Sequence, residues 1–200
     1  VIYDLEDIVK GRATIKQALV QDKVSPLLYL LPASLRIEVT DINESYMTSI
    51  VNQLNADFDY IIIDSPAGIE KGFFNAIKNA KEAIVVLTLD KTSLRDGDKV
   101  IGLLKNNQIN DIKLVINRYN KRDESQLSLA EVERIMDVEI IAKIPESKDI
   151  KSEQNYGLLI TKNSDADIAF KNLSNKILGK EEIISKPNFM SRFIKTLSKS

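Results

Sequence analysis

Four bulky apolar residues in succession, Tyr60, Ile61, Ile62 and Ile63, end in Asp64 and the turn Ser65-Pro66-Ala67-Gly68. A run this short and this apolar predicts a central strand buried on both faces, which restricts the chain to an architecture with layers above and below a sheet. Such a strand delivers Asp64 to its carboxyl end. In open α/β sheets ligands bind in the crevice there, so the acid is placed to handle a metal or a phosphate. An aspartate before a turn also caps backbone amides. The residues alone leave both roles open.

Signals of the two periods alternate along the rest of the chain. Tyr3 to Leu19, broken at Gly11, predicts a short helix, a turn and a second helix. Leu27 to Leu31, stopped by Pro32, predicts a buried strand. Asn43 is placed to cap a helix with Met47, Ile50, Val51 and Leu54 as its inward stripe. After the central strand the chain turns into Ile69 to Ala80. Strand and helix signals then alternate through 83–89, 94–104, 113–117, 129–136 and 138–144. This predicts an α/β fold, a mostly parallel sheet with helices on both faces. Ser93 with Asp96, Ser128 with Glu131 and Ser164 with Asp167 have capping-box spacing. A last core helix over 165–178 should stop at Gly179. The expected organisation is a domain over 1–179, a linker over 180–187 and a terminal helix over 188–200.

Composition narrows the chemistry. The 200 residues include no Cys and no His, which excludes disulfides, thiolate catalysis, Ser-His triads and the common zinc sites. Carboxylate, lysine, backbone-amide and metal chemistry remain. A net charge of -1 provides no global field for nucleic acid. No apolar run is long enough to span a bilayer and no signal peptide precedes the first element, so the cytosol is the expected compartment. Val1 is not an initiator methionine, and the chain reads as a fragment.

In 188–200, Phe189, Met190, Phe193, Ile194 and Leu197 fall within roughly 140° of a helical wheel, with Arg192, Lys195 and Lys199 opposite. The pattern fits an interfacial helix on an anionic membrane, and also a helix docked on the core with a solvated basic face. The one-signed charge and the preceding linker favour the membrane.

The order of these signals resembles the MinD family of septum-site-determining ATPases, of the deviant Walker (MinD/ParA-like) P-loop class. The strings that carry the resemblance are Ile63 to Glu70 with Gly72, Ser93 to Lys99, Asn117-Arg118-Tyr119-Asn120, Ile144-Pro145-Glu146 and the basic amphipathic tail. The resemblance implies ATP and Mg²⁺ as cofactors. Asp64 would be the Walker B carboxylate, holding Mg²⁺ through water. Pro66, Ala67 and Gly68 would shape the turn beside the γ-phosphate. Asn117 and Arg118 would lie at the adenine, with Pro145 and Glu146 closing the other side. Arg95, Asp96, Asp98 and Lys99 would form the face for MinC-like and MinE-like regulators. It further implies a homodimer in the ATP state, reversible membrane docking through paired tails, no specific nucleic acid, and a peripheral location on the inner face of the cell membrane.

One departure stands out. No Gly-x-x-x-x-Gly-Lys-Ser/Thr occurs in the chain, and the family's first strands and phosphate loop have no counterpart in it. The expectation is that these 200 residues alone neither bind ATP tightly nor hydrolyse it, and that a groove marks the missing strand. The competing readings are a flagellar-number or ParA-like partitioning ATPase, a phosphoacceptor receiver domain with Asp64 and Thr88 at its strand ends, and a nucleotide-free membrane adaptor.

Overall fold

A computed structural model of the chain describes residues 2–33, 44–66, 68–120, 127–147, 150 and 164–183. Asn43, Ala67 and the whole of 188–200 lie outside the described residues. The chain divides into two compact units, Val1–Ala83 with Leu104–Asn110, and Ile84–Leu103 with Asp111–Ser200.

The first unit begins with α1 (Leu5–Val9) and α2 (Ile15–Ala18), the predicted pair separated at Gly11. Each is nucleated by a reciprocal cap. Asp4 and Asp7 exchange side-chain and backbone hydrogen bonds, and so do Thr14 and Gln17. Glu6 is buried beside Lys10 and Arg12, whose cations offset the cost of taking its carboxylate out of water. β1 (Val20–Gln21) and β2 (Tyr29–Leu30) form a short antiparallel ribbon, and Asp22 Oδ2 accepts the turn amides of Val24 and Ser25.

This overturns the buried strand expected over Leu27–Leu31. Only Tyr29 and Leu30 are strand, and Leu27 is 91% exposed. An apolar run becomes a buried strand only when elements cover its faces, and among the described residues β2 pairs with β1 alone. α3 (Glu44–Leu54) does bury Ile50, Val51 and Leu54, as its spacing predicts.

The central strand is the larger correction. Residues 59–64 adopt no strand, and Tyr60 and Ile62 are 61% and 93% exposed while Ile61 and Ile63 are half-buried. The alternation survives but the second face is bare. Strand structure is a property of a pair, and no described residue supplies a ladder to this stretch. The chain then enters α4 (Lys71–Ile77), which buries Phe73, Ala76 and Ile77.

The second unit is built on a three-stranded sheet, β3 (Glu82–Leu87), β4 (Asp111–Tyr119) and β5 (Ile140–Pro145), in that spatial order, with β4 and β5 parallel. Leu114, Val115 and Ile116 are almost wholly buried at its centre. α5 (Lys91–Asn106), α6 (Leu129–Met136) and α7 (Asp165–Ile177) alternate with and follow the strands, giving the expected α/β order. Ala169 and Leu173 of α7 pack on Ile141, Ala142 and Ile144 of β5. Ser128 forms its full capping box with Glu131. Ser164 accepts the Asp167 amide.

Ser93 does not start its helix. α5 begins at Lys91, Asp90 accepts the Ser93 amide, and the Ser93 hydroxyl turns back to accept from the Thr88 amide. A carboxylate three residues before Ser93 is the better acceptor for an orphan helix amide. Gly179 ends α7 in the left-handed region, as predicted.

Candidate functional site

In the first unit Asp64 is exposed where the bare apolar run ends. Pro66 and Gly68 follow it, and Gly68 has φ +91, a conformation that side chains strongly disfavour. The turn is therefore built by a residue that allows backbone to approach a ligand. Among the described residues no group of three potential ligands could enclose a metal ion. A single carboxylate could hold Mg²⁺ only together with water and a substrate phosphate.

In the second unit the structure brings four candidate residues together. β4 ends in Asn117, Arg118 and Tyr119, and β5 ends beside it in Pro145, followed by Glu146. Tyr119 is aligned with Pro145, and the Glu146 amide donates to the Tyr119 carbonyl at 3.1 Å. The ladder shifts register between Ile116 and Tyr119, where Arg118 sits at φ +52 and its amide donates to Asn117 Oδ1 at 3.0 Å. Left-handed backbone at an arginine costs about 1 kcal/mol. Such breaks at strand ends re-aim side chains. With Oδ1 accepting from the Arg118 amide, the Asn117 side chain keeps Nδ2 as a donor near the carboxyl ends of two parallel strands.

Of a nucleotide, these residues offer chemistry for the base alone, one side-chain amide donor able to pair with its edge. They do not fit its phosphates, since neither the sequence nor the described residues offer a glycine-rich cradle with a lysine.

α5 carries the proposed regulator residues. Arg95, Asp96, Asp98 and Lys99 are exposed, with Lys99 and Asp96 paired at 3.4 Å, while Leu94, Gly97 and Ile101 are buried. Sequence reasoning missed what holds this helix in place. A Cβ on Gly97 would lie 2.5 Å from Leu87 Cδ2 of β3. Its signal was a glycine inside a strongly periodic helix.

The link from β3 to α5 was also missed. The Thr88 hydroxyl, followed by the Ser93 amide, holds the Asp90 carboxyl below the usual carboxylate range. A depressed folded-state pKa contributes stability that is complete above the unfolded value and is lost as pH falls through the folded one. Thr88→Val should move the Asp90 pKa upward in a carboxyl NMR titration. An unmoved value would remove the hydroxyl as the main cause.

No protein-family model matches the chain. Its relatives are informative. It is 37% identical to a putative septum site-determining protein MinD from Emiliania huxleyi, over 100% of this chain and 78% of that one. The Aquifex aeolicus MinC:MinD cell division complex contains a chain matching with TM-score 0.84 at 32% identity, over 93% of this chain and 77% of that one. Septum site-determining MinD of Pyrococcus horikoshii, complexed with Mg-ADP, matches with TM-score 0.77 at 26% identity, over 88% and 74%.

The α/β sheet and these neighbours define a P-loop NTPase fold of the MinD/ParA class. Within that class the chain belongs to the MinD family of septum site-determining ATPases. The sequence resemblance to MinD is thus borne out, and the receiver-domain reading gives way to it.

Proposed function

We propose that this chain is the nucleotide-responsive, membrane-targeting part of a cell-division site-selection ATPase. The observation that carries the reading is the convergence of Asn117 and Arg118 with Pro145 and Glu146 at adjacent ends of parallel strands. There the Asn117 amide binds the base edge, and Pro145 walls the opposite side. Asp64 holds Mg²⁺ through water beside the turn of Pro66, Ala67 and Gly68. ATP brings two copies together, and the pair docks its tails on the inner face of the cell membrane. The exposed charges of α5 receive MinC-like and MinE-like regulators.

The exposed faces of Tyr60 and Ile62 are where a further strand of the complete ATPase would lie, and the phosphate cradle would come with it. Purified as 200 residues, the chain should therefore turn over ATP no faster than buffer. Robust hydrolysis by it would sink this account. The decisive comparison is with native protein from the source, by intact mass against 22.5 kDa and by ATP turnover. A heavier, active species whose activity is lost in Asp64→Asn supports the proposal. A native mass equal to this chain, with ATP-independent binding to anionic vesicles, would favour the nucleotide-free adaptor, the reading to which the absent phosphate-loop motif points.

A further inference from the structure

The residues after α7 do not simply leave it. At Gly179, φ +65, the chain reverses, and the Lys180 amide donates to the Asn175 carbonyl at 2.8 Å. It then runs back along the helix it has just left. Asn175 Nδ2 donates to the Glu181 carbonyl at 3.0 Å. One turn earlier, Asn172 uses both ends of its amide on one residue, with Nδ2 donating to the Ile183 carbonyl at 3.2 Å and Oδ1 accepting the Ile183 amide at 2.7 Å. Positions 172 and 175 share a helix face, while 181 and 183 share a face of an extended segment, so the two asparagines meet every second residue of the returning chain. A side-chain amide has the donor and acceptor of a peptide group, and Asn172 pairs with Ile183 much as a neighbouring strand would.

We propose that residues 180–183 form a strap, clamped to α7 by Asn172 and Asn175, that sets where the terminal tail departs and how long its free tether is. Sequence composition makes 180–187 one linker of eight residues, with a reach of about 28 Å when extended. Counted from the last clamped residue, the tether is 184–187, four residues with a reach of about 14 Å. The departure point also moves back from Gly179 to the level of Asn172, about 10 Å along the helix axis. Glu182, between the two clamps, lines a cavity of about 520 Å³ together with Tyr119, Lys143, Pro145, Asp165 and Asn172. The strap thus borders the same strand ends that carry the base-fitting residues.

The membrane consequence rests on the reading of 188–200 as a membrane helix. A shorter tether raises the effective concentration of the second tail when two are presented together, provided it still spans the distance. The strap itself stands or falls on its own measurement.

Hydrogen–deuterium exchange on the 200-residue chain reads it at the Ile183 amide, whose acceptor is the Asn172 side chain. Slow exchange in the wild type and about tenfold faster exchange in Asn172→Ala are expected, from the loss of two hydrogen bonds. Unchanged amides from Ala169 to Leu173 would report that α7 is intact. Unprotected exchange in the wild type, or equal rates in both proteins, overturns the strap. Because the chain has no cysteine, Lys171→Cys with Glu182→Cys admits a clean spin-label pair, both at exposed positions. A narrow distance distribution that Asn172→Ala broadens supports the strap even where exchange data are confounded by unfolding, and a distribution already broad without that change overturns it. Vesicle pelleting of the wild type against Phe193→Glu keeps the two ideas separate. Equal pelleting removes the membrane reading, and the exchange and distance results still decide the strap.

Discussion

Gly97→Val is expected to destabilise the second unit by about 1–3 kcal/mol, the usual range for forcing extra methyl groups into a packed contact. The new Cβ would lie 2.5 Å from Leu87 Cδ2 and 3.0 Å from Cδ1. Leu87 is 5% exposed, so its side chain has little room to swing aside. Two effects oppose each other here, because glycine inside a helix is itself unfavourable by about 1 kcal/mol relative to alanine. Gly102 separates them. It lies on the same helix with nothing within 4 Å of its Cβ position. Gly102→Ala should therefore stabilise by up to about 1 kcal/mol while Gly97→Val destabilises. Urea unfolding of both variants gives the comparison. Equal signs would mean that helix propensity, and not the approach of α5 to β3, governs both positions. A displaced α5 should also carry Arg95, Asp96, Asp98 and Lys99 out of position, so regulator binding should fall with Gly97→Val and survive Gly102→Ala.

Phe193→Glu should abolish pelleting with anionic vesicles. On the proposed membrane helix over 188–200 Phe193 would fall within the apolar arc, and burying such a side chain contributes about 1.5–3 kcal/mol. The carboxylate forfeits that contribution and adds repulsion from anionic headgroups, offsetting most of one basic residue's attraction of about 1 kcal/mol. The total binding of so short a helix is only a few kcal/mol, since nucleating it in water is costly. A loss of this size therefore removes more than tenfold of the affinity. Ile194→Glu should act alike, and Lys199→Ala should weaken binding only modestly and in a salt-dependent way. Pelleting that survives both Glu substitutions would remove the membrane reading of the tail.

How far the sequence could be read differs by element, for reasons that are local in some places and not in others. α1 and α2 were legible from their apolar spacing broken at Gly11, and α6 because its start is written in Ser128 and Glu131; the caps Asp4 with Asp7 and Thr14 with Gln17 went unread. The end of α7 was legible because glycine alone enters the left-handed region cheaply. Residues 59–64 and 27–31 were misread as buried strands because the apolar run records what the residues favour, whereas the strand itself needs a partner that lies elsewhere.

The site shows the same division. The spacing of Asn117 and Pro145 gave no hint that Tyr119 and Glu146 join their strand ends, yet the family resemblance placed Asn117, Arg118, Pro145 and Glu146 at one ligand. Arg118 at φ +52 was invisible, since arginine is not a residue that announces a left-handed turn. Ser93 was mistaken for a cap because Asp90, the stronger acceptor, precedes it.

The bare run at 59–64 also bears on solubility. An uncovered stretch of tyrosine and isoleucine is a template for edge-to-edge aggregation between molecules. Here it is bracketed by Asp59 and Asp64, with Pro66 two residues on, and like charges brought into register when two such stretches pair repel one another while proline withholds a ladder amide. Asp64 is thus a gatekeeper as well as a candidate magnesium residue, so neutralising it should be expected to alter aggregation alongside any effect on nucleotide.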